Sequence, residues 1–395
     1  MSSRLREVCI IGYARTPMGT LLGSLSPLTA TDLGAIAIKE AVKRSKVTPS
    51  RIQSVFLGNV LQAGVGMGPA RTAALKAGLN ETTVCTTVNK VCASGMKAIH
   101  LAAMEIQMGL HDFAVAGGME SMTNAPFLDR SARQGHKFGS KVLEDCIQVD
   151  GLSDSILGMQ MGMISEEYSK KLEITREQQD DFALQSYRRA VEAWDTGKFA
   201  REVVPVEIPQ PKGQKRIVDR DERLLQFNEE KMKHLKPVVP DGTITAANGS
   251  SINDGAAAVV LASLEMCEKE NIPILAIIES YADAERAPKD FGLTPVDAVT
   301  LALKRANLAK SEIDLFEINE AFSVVALANA KMLEFNFEKL NIFGGAVALG
   351  HPIGASGCRV VCTLLNALET TNKHIGCATI CNGGGGASAI VIRRP

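Results

Sequence analysis

The sequence predicts an α/β fold of two similar halves, with layered helices and mixed sheets, and a segment inserted between them. Short apolar stretches typical of strands alternate along the 395 residues with stretches whose apolar residues recur at helical spacing. Residues 39–52 and 300–313 match at a constant offset of 261, and five paired positions are identical. At an offset of 262, Ala93-Ser94-Gly95 recurs as Ala355-Ser356-Gly357. Several matches at nearly one offset indicate duplication.

The predicted elements set the limits of the two halves. Strands are predicted over residues 8–14, 54–60, 113–118 and 377–384, and helices over residues 33–44 and 96–108. The N-terminal half is predicted to comprise residues 1–121 and 250–273, and the C-terminal half residues 274–395. Residues 122–249 form the predicted insertion, a loop domain that lies over the site as a lid, because they hold long charged stretches and the only tryptophan.

Composition and charge limit the classes of partner. Lys and Arg number 43 and Asp and Glu number 44, so a net charge of −1 favours neither nucleic acid nor a membrane surface as partner. No apolar run reaches the roughly 18 residues of a membrane span. Residues 1–17 lack the apolar core of a signal peptide. Nine cysteines, an odd number without regular spacing, indicate a reducing compartment with most thiols buried.

Cys92 lies directly before the second predicted helix and is followed by small residues. A thiol at a helix N-terminus meets free N–H groups and the positive end of the helix dipole, which stabilise the thiolate. Cys92 is therefore a candidate nucleophile. The competing interpretation is a buried structural cysteine, the commoner role of a single cysteine.

Three further motifs are candidates for the same site. His351 precedes the repeated Ala-Ser-Gly segment, so the duplication predicts that it meets Cys92 where the two helices begin. Cys381 ends an apolar strand before glycines 383–386, whose N–H groups suit an oxyanion or a phosphate. Asn319 lies at a predicted strand-to-helix junction. The alternatives are a structural histidine in a turn, a flexible glycine loop and a helix cap, respectively.

A zinc site is an alternative use of the cysteines and histidines between residues 351 and 381. This stretch contains no Cys-x2-Cys pair, however, and Cys358 and Cys362 fit one face of an apolar helix, so zinc is disfavoured. The glycines near residues 64–68 lack the spacing of a phosphate-binding loop, so a nucleotide site is also disfavoured.

Taken together, these motifs resemble the thiolase family, and the likeness covers the whole chain. The similar motifs, in the family's order, are NKVCASGMKA, AGGMESM, TAANGSSINDGAAA, NEAF, GGAVALGHPIGASG and CNGGGGASA. The resemblance implies a thiolase-like duplicated α/β fold with a loop domain. It also implies a ping-pong acyl transfer that condenses two acetyl-CoA molecules to acetoacetyl-CoA and CoA, or the reverse thiolysis. Within the family, the sequence is most similar to the short-chain class, especially its mitochondrial animal form.

The resemblance implies a role for each catalytic candidate. Cys92 carries the acyl group as a thioester, and His351 removes the proton from Cys92. Cys381 is the acid and base at the α-carbon of the second acetyl group. Asn319 orients a water that forms one oxyanion hole with His351, and the N–H groups of Cys92 and Gly383 form the other. Condensation through a thioester requires these parts, namely a base and a stabilised enolate.

The resemblance also implies a coenzyme A site without a prosthetic group. The implied substrate and coenzyme residues are Leu152, Met161, Tyr187, Lys231, Ser250, Phe291, Ala321 and Phe322. A potassium site of the mitochondrial animal form is implied at the Tyr187 side chain and four backbone carbonyls. These carbonyls belong to Ala246, Ala247, Gly249 and Val347.

The sequence departs from the family's pattern at three places near the substrate. Gln160 stands where a histidine precedes the Met-Gly of the lid, and Gln226-Phe227-Asn228 replaces a coenzyme-contacting run. Phe291-Gly292 stands where the mitochondrial form has Phe-Pro, a pair linked to 2-methyl-branched substrates. Glycine in place of proline predicts a wider or more mobile pocket, so we expect that propionyl or 2-methyl-branched short acyl groups are accepted alongside acetyl.

Three other functions remain as alternatives. A longer-chain 3-ketoacyl-CoA thiolase is the nearest, followed by a β-ketoacyl synthase and a non-catalytic acyl-CoA-binding relative. The partners implied by the resemblance are acyl-CoA substrates and further copies of the chain, with a homotetramer assembled through residues 134–145. The mitochondrial matrix is the expected compartment, with the cytoplasm as the alternative.

Overall fold

A computed structural model describes residues 5–395, so the first four residues of the predicted N-terminal half lie outside the described range. The strands of this range are β1 (Val8–Arg15), β2 (Gly19–Thr20), β3 (Ser54–Gly58), β4 (Val84–Val88), β5 (Phe113–Ser121), β6 (Phe127–Leu128), β7 (Glu144–Asp145), β8 (Ser153–Asp154), β9 (Met159–Gln160), β10 (Val206–Pro209), β11 (Lys215–Val218), β12 (Asn253–Ser263), β13 (Ala276–Glu285), β14 (Leu315–Ile318), β15 (Ile375–Asn382) and β16 (Gly386–Arg393).

The α-helices of the same range are α1 (Ala30–Ser45), α2 (Pro69–Lys76), α3 (Ser94–Gln107), α4 (Met161–Lys171), α5 (Arg176–Asp195), α6 (Glu229–Lys233), α7 (Leu264–Glu270), α8 (Pro295–Ala306), α9 (Ser323–Leu333), α10 (Ala346–Leu349) and α11 (Ile353–Thr370). The four predicted strands correspond to β1, β3, β5 and β15, and the two predicted helices to α1 and α3. Within residues 5–395, no helix has the length and apolar character needed to cross a membrane.

The strand order confirms the predicted duplication. The main sheet runs β14-β15-β16-β13-β1-β12-β5-β3-β4. In the N-terminal half, β3 pairs with β5 in parallel, and β5–β12 and β12–β1 are antiparallel. In the C-terminal half, β14–β15 is parallel, and β15–β16 and β16–β13 are antiparallel. The order β3-β5-β12-β1 is therefore repeated as β14-β15-β16-β13.

The half-sheets meet at a short seam and enclose a pair of helices. The seam is the antiparallel pairing of β1 with β13, where Cys9 pairs with Ile277 and Ile10 with Ala276. Helices α3 and α11 pack on each other and contact strands of both halves. Helix α1 lies against β1, β5 and β12, and α8 lies against β13 and β16. On β12, Val259 packs in one apolar cluster with α3 and α11, and the next residue, Val260, packs in another with α1. Successive strand residues point to opposite faces, so the helix pair and α1 cover opposite faces of the N-terminal half-sheet.

The repeated Ala-Ser-Gly motif lies where α3 crosses α11. A Cβ on Gly95 would lie 2.8 Å from the backbone nitrogen of Cys358, and a Cβ on Gly357 would lie 2.4 Å from that of Met96. Both distances are too short for real side chains, so each half needs glycine at this position for the backbones to approach. This close crossing brings the two helix N-termini together.

The segment between β5 and β12 contains α4, α5, α6 and six short strands. Thr175 starts α5 with a capping box, in which its hydroxyl accepts from the Gln178 N–H. The fully buried Arg15 of β1 holds the segment, because its guanidinium contacts Glu202 at 2.5 Å and Asp221 at 2.7 Å. The limits 122–249 for a loop domain remain our proposal for this segment.

Candidate active site

A cavity of about 220 Å³ lies between the two halves and the inserted segment. Cys92, His351, Cys381 and Gly383 all line it, although they are far apart in the chain. Six other predicted substrate residues line the same cavity, namely Leu152, Met161, Ser250, Phe291, Ala321 and Phe322. The predicted meeting of two thiols and one imidazole in one pocket is thus found in the structure.

A tight turn directs the Cys92 side chain into this cavity. Val91 adopts the left-handed conformation at φ 47°, which is strained for a β-branched residue. Ser94 closes the turn, because its hydroxyl accepts from the Lys90 N–H at 2.8 Å and donates to the Val91 carbonyl at 2.6 Å. Helix α3 begins at Ser94, two residues after the nucleophile candidate.

The expected thiolate at Cys92 is not found in the resting site. Burial raises the pKa of Cys92 to about 12, although backbone N–H groups of Gly383 and of Cys92 itself act in the opposite direction. The prediction from the helix N-terminus was wrong because desolvation outweighs the dipole and the N–H groups. Both N–H groups nevertheless lie near the sulfur, where they would reach the carbonyl oxygen of an acyl group bound to it.

His351 is held as a neutral base. The Ser356 hydroxyl donates to the Pro352 carbonyl at 2.9 Å, so the 2.6 Å contact with His351 Nδ1 requires that Nδ1 carries the proton. The other ring nitrogen, Nε2, is buried without a hydrogen-bond partner among residues 5–395. Burial, aided by the Arg359 charge, lowers the pKa of His351 to about 3. Nε2 therefore presents a lone pair at the cavity.

The Asn253 side chain and the Gly350 backbone fix the segment that carries His351. The Asn253 side chain accepts from the His351 N–H at 3.0 Å and donates to the Gly19 carbonyl at 2.8 Å. Gly350 has φ 114°, which only glycine adopts without strain, and a Cβ there would lie 2.5 Å from the Asn253 side chain. Asn253 was not identified from the sequence, because only the fold places β12 beside this turn.

Cys381 is the penultimate residue of β15, lies at the cavity wall and is buried. Burial raises the pKa of Cys381, and the nearby Cys92 raises it further. A thiol with a raised pKa holds its proton firmly and is a strong base once the proton has left. Cys92 and Cys381 are both free thiols in the structure and do not form a disulfide. Cys381 therefore suits the role of a proton donor and acceptor.

Asn319 follows β14 and is not one of the residues that line the cavity. It does not cap α9, whose N-cap residue is Phe322. Its side-chain oxygen accepts from Arg359 Nη2 at 3.4 Å, while its Nδ2 is fully buried with no partner among the described residues. A buried donor without a partner is costly, so Nδ2 suits a bound water or a substrate oxygen.

Glu120 is a second residue that sequence reasoning missed. Its carboxylate accepts from Val60 N–H at 3.0 Å and from Gly354 N–H at 2.9 Å, and so joins β5 to the first turn of α11. Asn59 Nδ2 donates to it at 2.6 Å. Burial raises the pKa of Glu120 to about 7. A carboxylate inside an apolar strand was the only hint in the sequence.

A second, wider cavity of about 610 Å³ adjoins the first, and the two share the wall Ser250, Ser251 and Ile252. Lys231 and Tyr187, both predicted for the coenzyme, line the wider cavity together with Arg223. Among residues 5–395, none of those that line it is acidic. The wider cavity therefore carries two positive charges and suits an anionic ligand.

A guanidinium contacts several of the predicted potassium ligands. Arg223 Nε donates to the Tyr187 hydroxyl at 2.5 Å, and Nη2 donates to the carbonyls of Ala246 at 2.7 Å and Gly249 at 3.1 Å. A guanidinium thus binds three of the five predicted ligand residues. The other two, Ala247 and Val347, are not hydrogen-bonded to Arg223.

Two of the three departures from the family pattern have local explanations. Phe227 stacks on Tyr187 with ring centroids 4.8 Å apart, and the Asn228 side chain caps α6. The Gly292 N–H donates to the Tyr168 hydroxyl at 3.0 Å, and a Cβ at Gly292 would lie 2.5 Å from the Tyr168 ring. Proline would not fit there. Gln160 lines the smaller cavity, and no contact explains this departure.

No group of three or more His, Cys, Asp or Glu side chains within residues 5–395 is arranged to hold a metal ion. Cys358 and Cys362 are buried on α11, one turn apart.

A duplicated α/β fold that brings two thiols, an imidazole and N–H donors to one cavity defines a class of acyl-transfer enzymes. The family models give that class its name. The thiolase N-terminal domain matches residues 8–265 and the thiolase C-terminal domain matches residues 272–394. The chain belongs to the thiolase family and is an acyltransferase.

Among similar proteins, acetyl-CoA acetyltransferase 1 of Arabidopsis thaliana is 50% identical over 98% of this chain and 94% of its own length. The mitochondrial acetyl-CoA acetyltransferase of Bos taurus is 49% identical over 99% and 92%. The cytosolic acetyl-CoA acetyltransferase of Gibberella zeae is 48% identical over 99% of both.

Two solved structures share the fold over nearly the whole chain. The Acat5 thiolase of Ascaris suum, in complex with coenzyme A, superposes with a TM-score of 0.93 at 44% identity, covering 99% of this chain and 100% of that one. The acetyl-CoA acetyltransferase of Bacillus anthracis gives a TM-score of 0.97 at 36% identity and covers 100% of both chains.

Proposed function

We propose that the protein is an acetyl-CoA C-acetyltransferase, which condenses two acetyl-CoA molecules to acetoacetyl-CoA and CoA and catalyses the reverse thiolysis. The observation that carries this proposal is the convergence of Cys92, His351, Cys381 and Gly383 on one small cavity. The names of the relatives, which are about half identical over the full chain, support the same activity.

The first half-reaction transfers an acetyl group to Cys92. His351 Nε2 takes the thiol proton as the Cys92 sulfur attacks the thioester carbonyl. The N–H groups of Cys92 and Gly383 hold the resulting oxyanion. The sulfur–carbon bond to CoA then breaks, and Cys381 donates its proton to the leaving thiolate. A neutral imidazole and a protonated second thiol at rest support this sequence.

The second half-reaction forms the carbon–carbon bond. The Cys381 thiolate removes an α-proton from the second acetyl-CoA, and the enolate oxygen is held by His351 Nε2–H and a water on Asn319 Nδ2. The enolate carbon attacks the carbonyl of the acetyl-Cys92 thioester. Cys92 leaves as a thiolate and recovers its proton from His351. Protons and electrons balance over the two half-reactions.

The two adjoining cavities support a coenzyme A thioester as the substrate class. The wider cavity places Lys231 and Arg223 around space that suits the anionic phosphates of coenzyme A. The shared wall at Ser250 leads from there to Cys92, so the pantetheine arm would pass Ser250.

The size of the inner cavity supports short acyl groups. A volume of about 220 Å³, bounded by Leu152, Met161 and Phe291, favours acetyl and propionyl over long chains. We also propose that 2-methyl-branched acyl groups are accepted, since glycine at position 292 gives the backbone beside Phe291 more freedom than the proline of the mitochondrial form would.

We further propose that the protein works without a prosthetic group, as a homo-oligomer, with a tetramer favoured. Residues 134–145 support assembly, because Phe138, Val142 and Leu143 are exposed there. The relatives include mitochondrial and cytosolic forms. We propose the mitochondrial matrix as the compartment, with the cytoplasm as the alternative.

Steady-state thiolysis with acetoacetyl-CoA, 2-methylacetoacetyl-CoA and a long-chain 3-ketoacyl-CoA tests the proposal. The short substrates should react fastest. Cys92→Ala should lower the rate on the order of 10⁴-fold or more, and mass spectrometry of the wild type with acetyl-CoA should find acetyl on the Cys92 peptide. Cys85→Ala, which changes a partly exposed thiol of β4, is the control and should keep full activity. Equal rates for Cys92→Ala and the wild type would contradict the proposal.

A further inference from the structure

The Arg223 guanidinium occupies the place at which the family resemblance implies a potassium ion. Its three hydrogen bonds to the Tyr187 hydroxyl, the Ala246 carbonyl and the Gly249 carbonyl use three of the five oxygen atoms that would hold the metal. We propose that Arg223 is a built-in cation that replaces a bound monovalent metal ion, so that this enzyme binds its substrate without potassium. The substrate part of this inference rests on the proposed function.

The backbone around Arg223 is anchored before any ligand arrives. The preceding Glu222 carboxylate accepts from the Thr20 N–H at 2.8 Å and from the Ser24 N–H at 3.0 Å. Asp221, one residue earlier, contacts the buried Arg15. The Arg223 side chain is buried, and its Cζ lies 5.6 Å from the Tyr187 ring centroid. The fold therefore fixes the position of the guanidinium, and the side chain does not have to move in from solvent when a ligand binds.

Electrostatics disfavour a metal ion beside this guanidinium. An arginine side chain keeps its charge throughout the physiological pH range. A potassium ion bound to the same oxygens would lie within about 4–5 Å of it. At an effective dielectric constant of about 20, repulsion between two unit charges at that distance weakens binding roughly a thousandfold. That factor is enough to empty a site of millimolar affinity.

The guanidinium stabilises the wall that the two cavities share. The Ala246 and Gly249 carbonyls belong to the turn that leads into Ser250, and the Ser250 N–H donates to the Ala321 carbonyl at 3.0 Å. Arg223 therefore ties this turn to Tyr187 on α5. Its role is that of a positioning residue for the wall along which the substrate would pass.

The test compares salts at a fixed ionic strength of about 0.1 M, which keeps screening constant. Potassium, sodium and tetramethylammonium chlorides are compared, and KM and kcat for acetoacetyl-CoA and the melting temperature are measured. We expect the wild type to show the same KM and melting temperature in all three salts. We expect Arg223→Ala to raise KM about tenfold in tetramethylammonium, the loss typical of a charged hydrogen-bonding group, with a smaller change in kcat.

Rescue distinguishes a lost cation from general damage. Potassium or added guanidinium chloride should restore the KM of Arg223→Ala and raise its melting temperature, whereas tetramethylammonium should do neither. Arg223→Lys keeps a positive charge and serves as the second variant if the alanine variant does not fold. Its KM should lie between those of the wild type and the alanine variant. Arg188→Ala, which changes an exposed arginine on α5, should respond to no salt.

Three results would overturn the inference. They are a potassium-specific change in the wild type, an Arg223→Ala variant that behaves like the wild type in every salt, and a loss of affinity that neither cation restores. An enzyme with no thiolysis in any salt would instead overturn the proposed function. The wild-type and variant melting temperatures would still decide the cation question in that case.

Discussion

The two halves place the same Ala-Ser-Gly motif at the start of a helix, but they use its serine differently. In the N-terminal half, Ser94 bonds only to backbone atoms of Lys90 and Val91 and shapes the turn that carries Cys92. In the C-terminal half, Ser356 accepts from His351 Nδ1 and sets which ring nitrogen faces the cavity. The two halves therefore share one backbone arrangement at the start of a helix, and the residue that precedes each motif determines the chemistry there.

The comparison also shows which residues are alike in the two halves and which residues differ. The glycines of both motifs are held by the same constraint, since each lies against the backbone of the opposite helix. The groups ahead of them, Cys92 and His351, face one cavity and have complementary roles. The following predictions test this division, from the largest expected effect to the smallest.

Removing the imidazole should have the largest effect. His351→Ala should lower kcat for thiolysis on the order of 10⁴-fold, because no other side chain lining the cavity can take the Cys92 proton from the same position. Steady-state kinetics and circular dichroism provide the measurement. His374→Ala, at an exposed histidine of the same half, should be fully active. A small loss at His351 would break the division of roles between the halves.

The two serines should differ in the kind of loss. Ser356→Ala should lower kcat about 10–100-fold with little change in KM, because the imidazole loses the partner that fixes its tautomer. Ser94→Ala should lower the free energy of unfolding by about 1–2 kcal/mol, since a turn loses two hydrogen bonds. Kinetics and urea denaturation of both variants give the comparison, and the same kcat loss for both serines would contradict it.

The two glycines should be alike in kind and different in size. Gly357→Ala and Gly95→Ala should each destabilise the fold by about 1–3 kcal/mol, because each adds a methyl group to a filled helix crossing. The effect should be greater for Gly357, whose added Cβ would approach to 2.4 Å rather than 2.8 Å. Urea denaturation measures both. A stabilising alanine at either position would show that the crossing is looser than described.

The pH dependence should show that neither helix start carries a charge at rest. The pKa of Cys92 is about 12. At any pH below that value, raising the pH by one unit therefore increases the thiolate fraction about tenfold. His351, with a pKa of about 3, stays neutral from pH 6 to 9. Alkylation of Cys92 by iodoacetamide, measured in a Cys85→Ala background, should therefore accelerate about tenfold per pH unit without a plateau. A plateau near neutral pH would indicate a stabilised thiolate.

Much of the fold and the main residues of the site were predictable from the sequence. The repeat predicted the duplicated sheet, and the position of His351 before the second Ala-Ser-Gly predicted that it meets Cys92. The family resemblance supplied Asn319 and Gly383. These features are local motifs or repeats, so they can be recognised without knowing which distant segments come into contact.

The rest depends on contacts between distant residues. Arg223 lies in a charged stretch without a motif, and only the fold brings it to the Ala246 and Gly249 carbonyls. Glu120 meets the start of α11 across 234 residues. The pKa of Cys92 was predicted in the wrong direction because a sequence reveals the helix dipole but not the desolvation of one sulfur atom.

The short seam between the half-sheets has a consequence for heat inactivation. Only two residue pairs join β1 to β13, and the reacting groups sit on opposite sides of that boundary. A shift of about 1 Å between reacting groups can lower a rate about a hundredfold. Movement of one half against the other would inactivate the enzyme while both halves keep their secondary structure. On warming, activity should therefore be lost at a lower temperature than ellipticity.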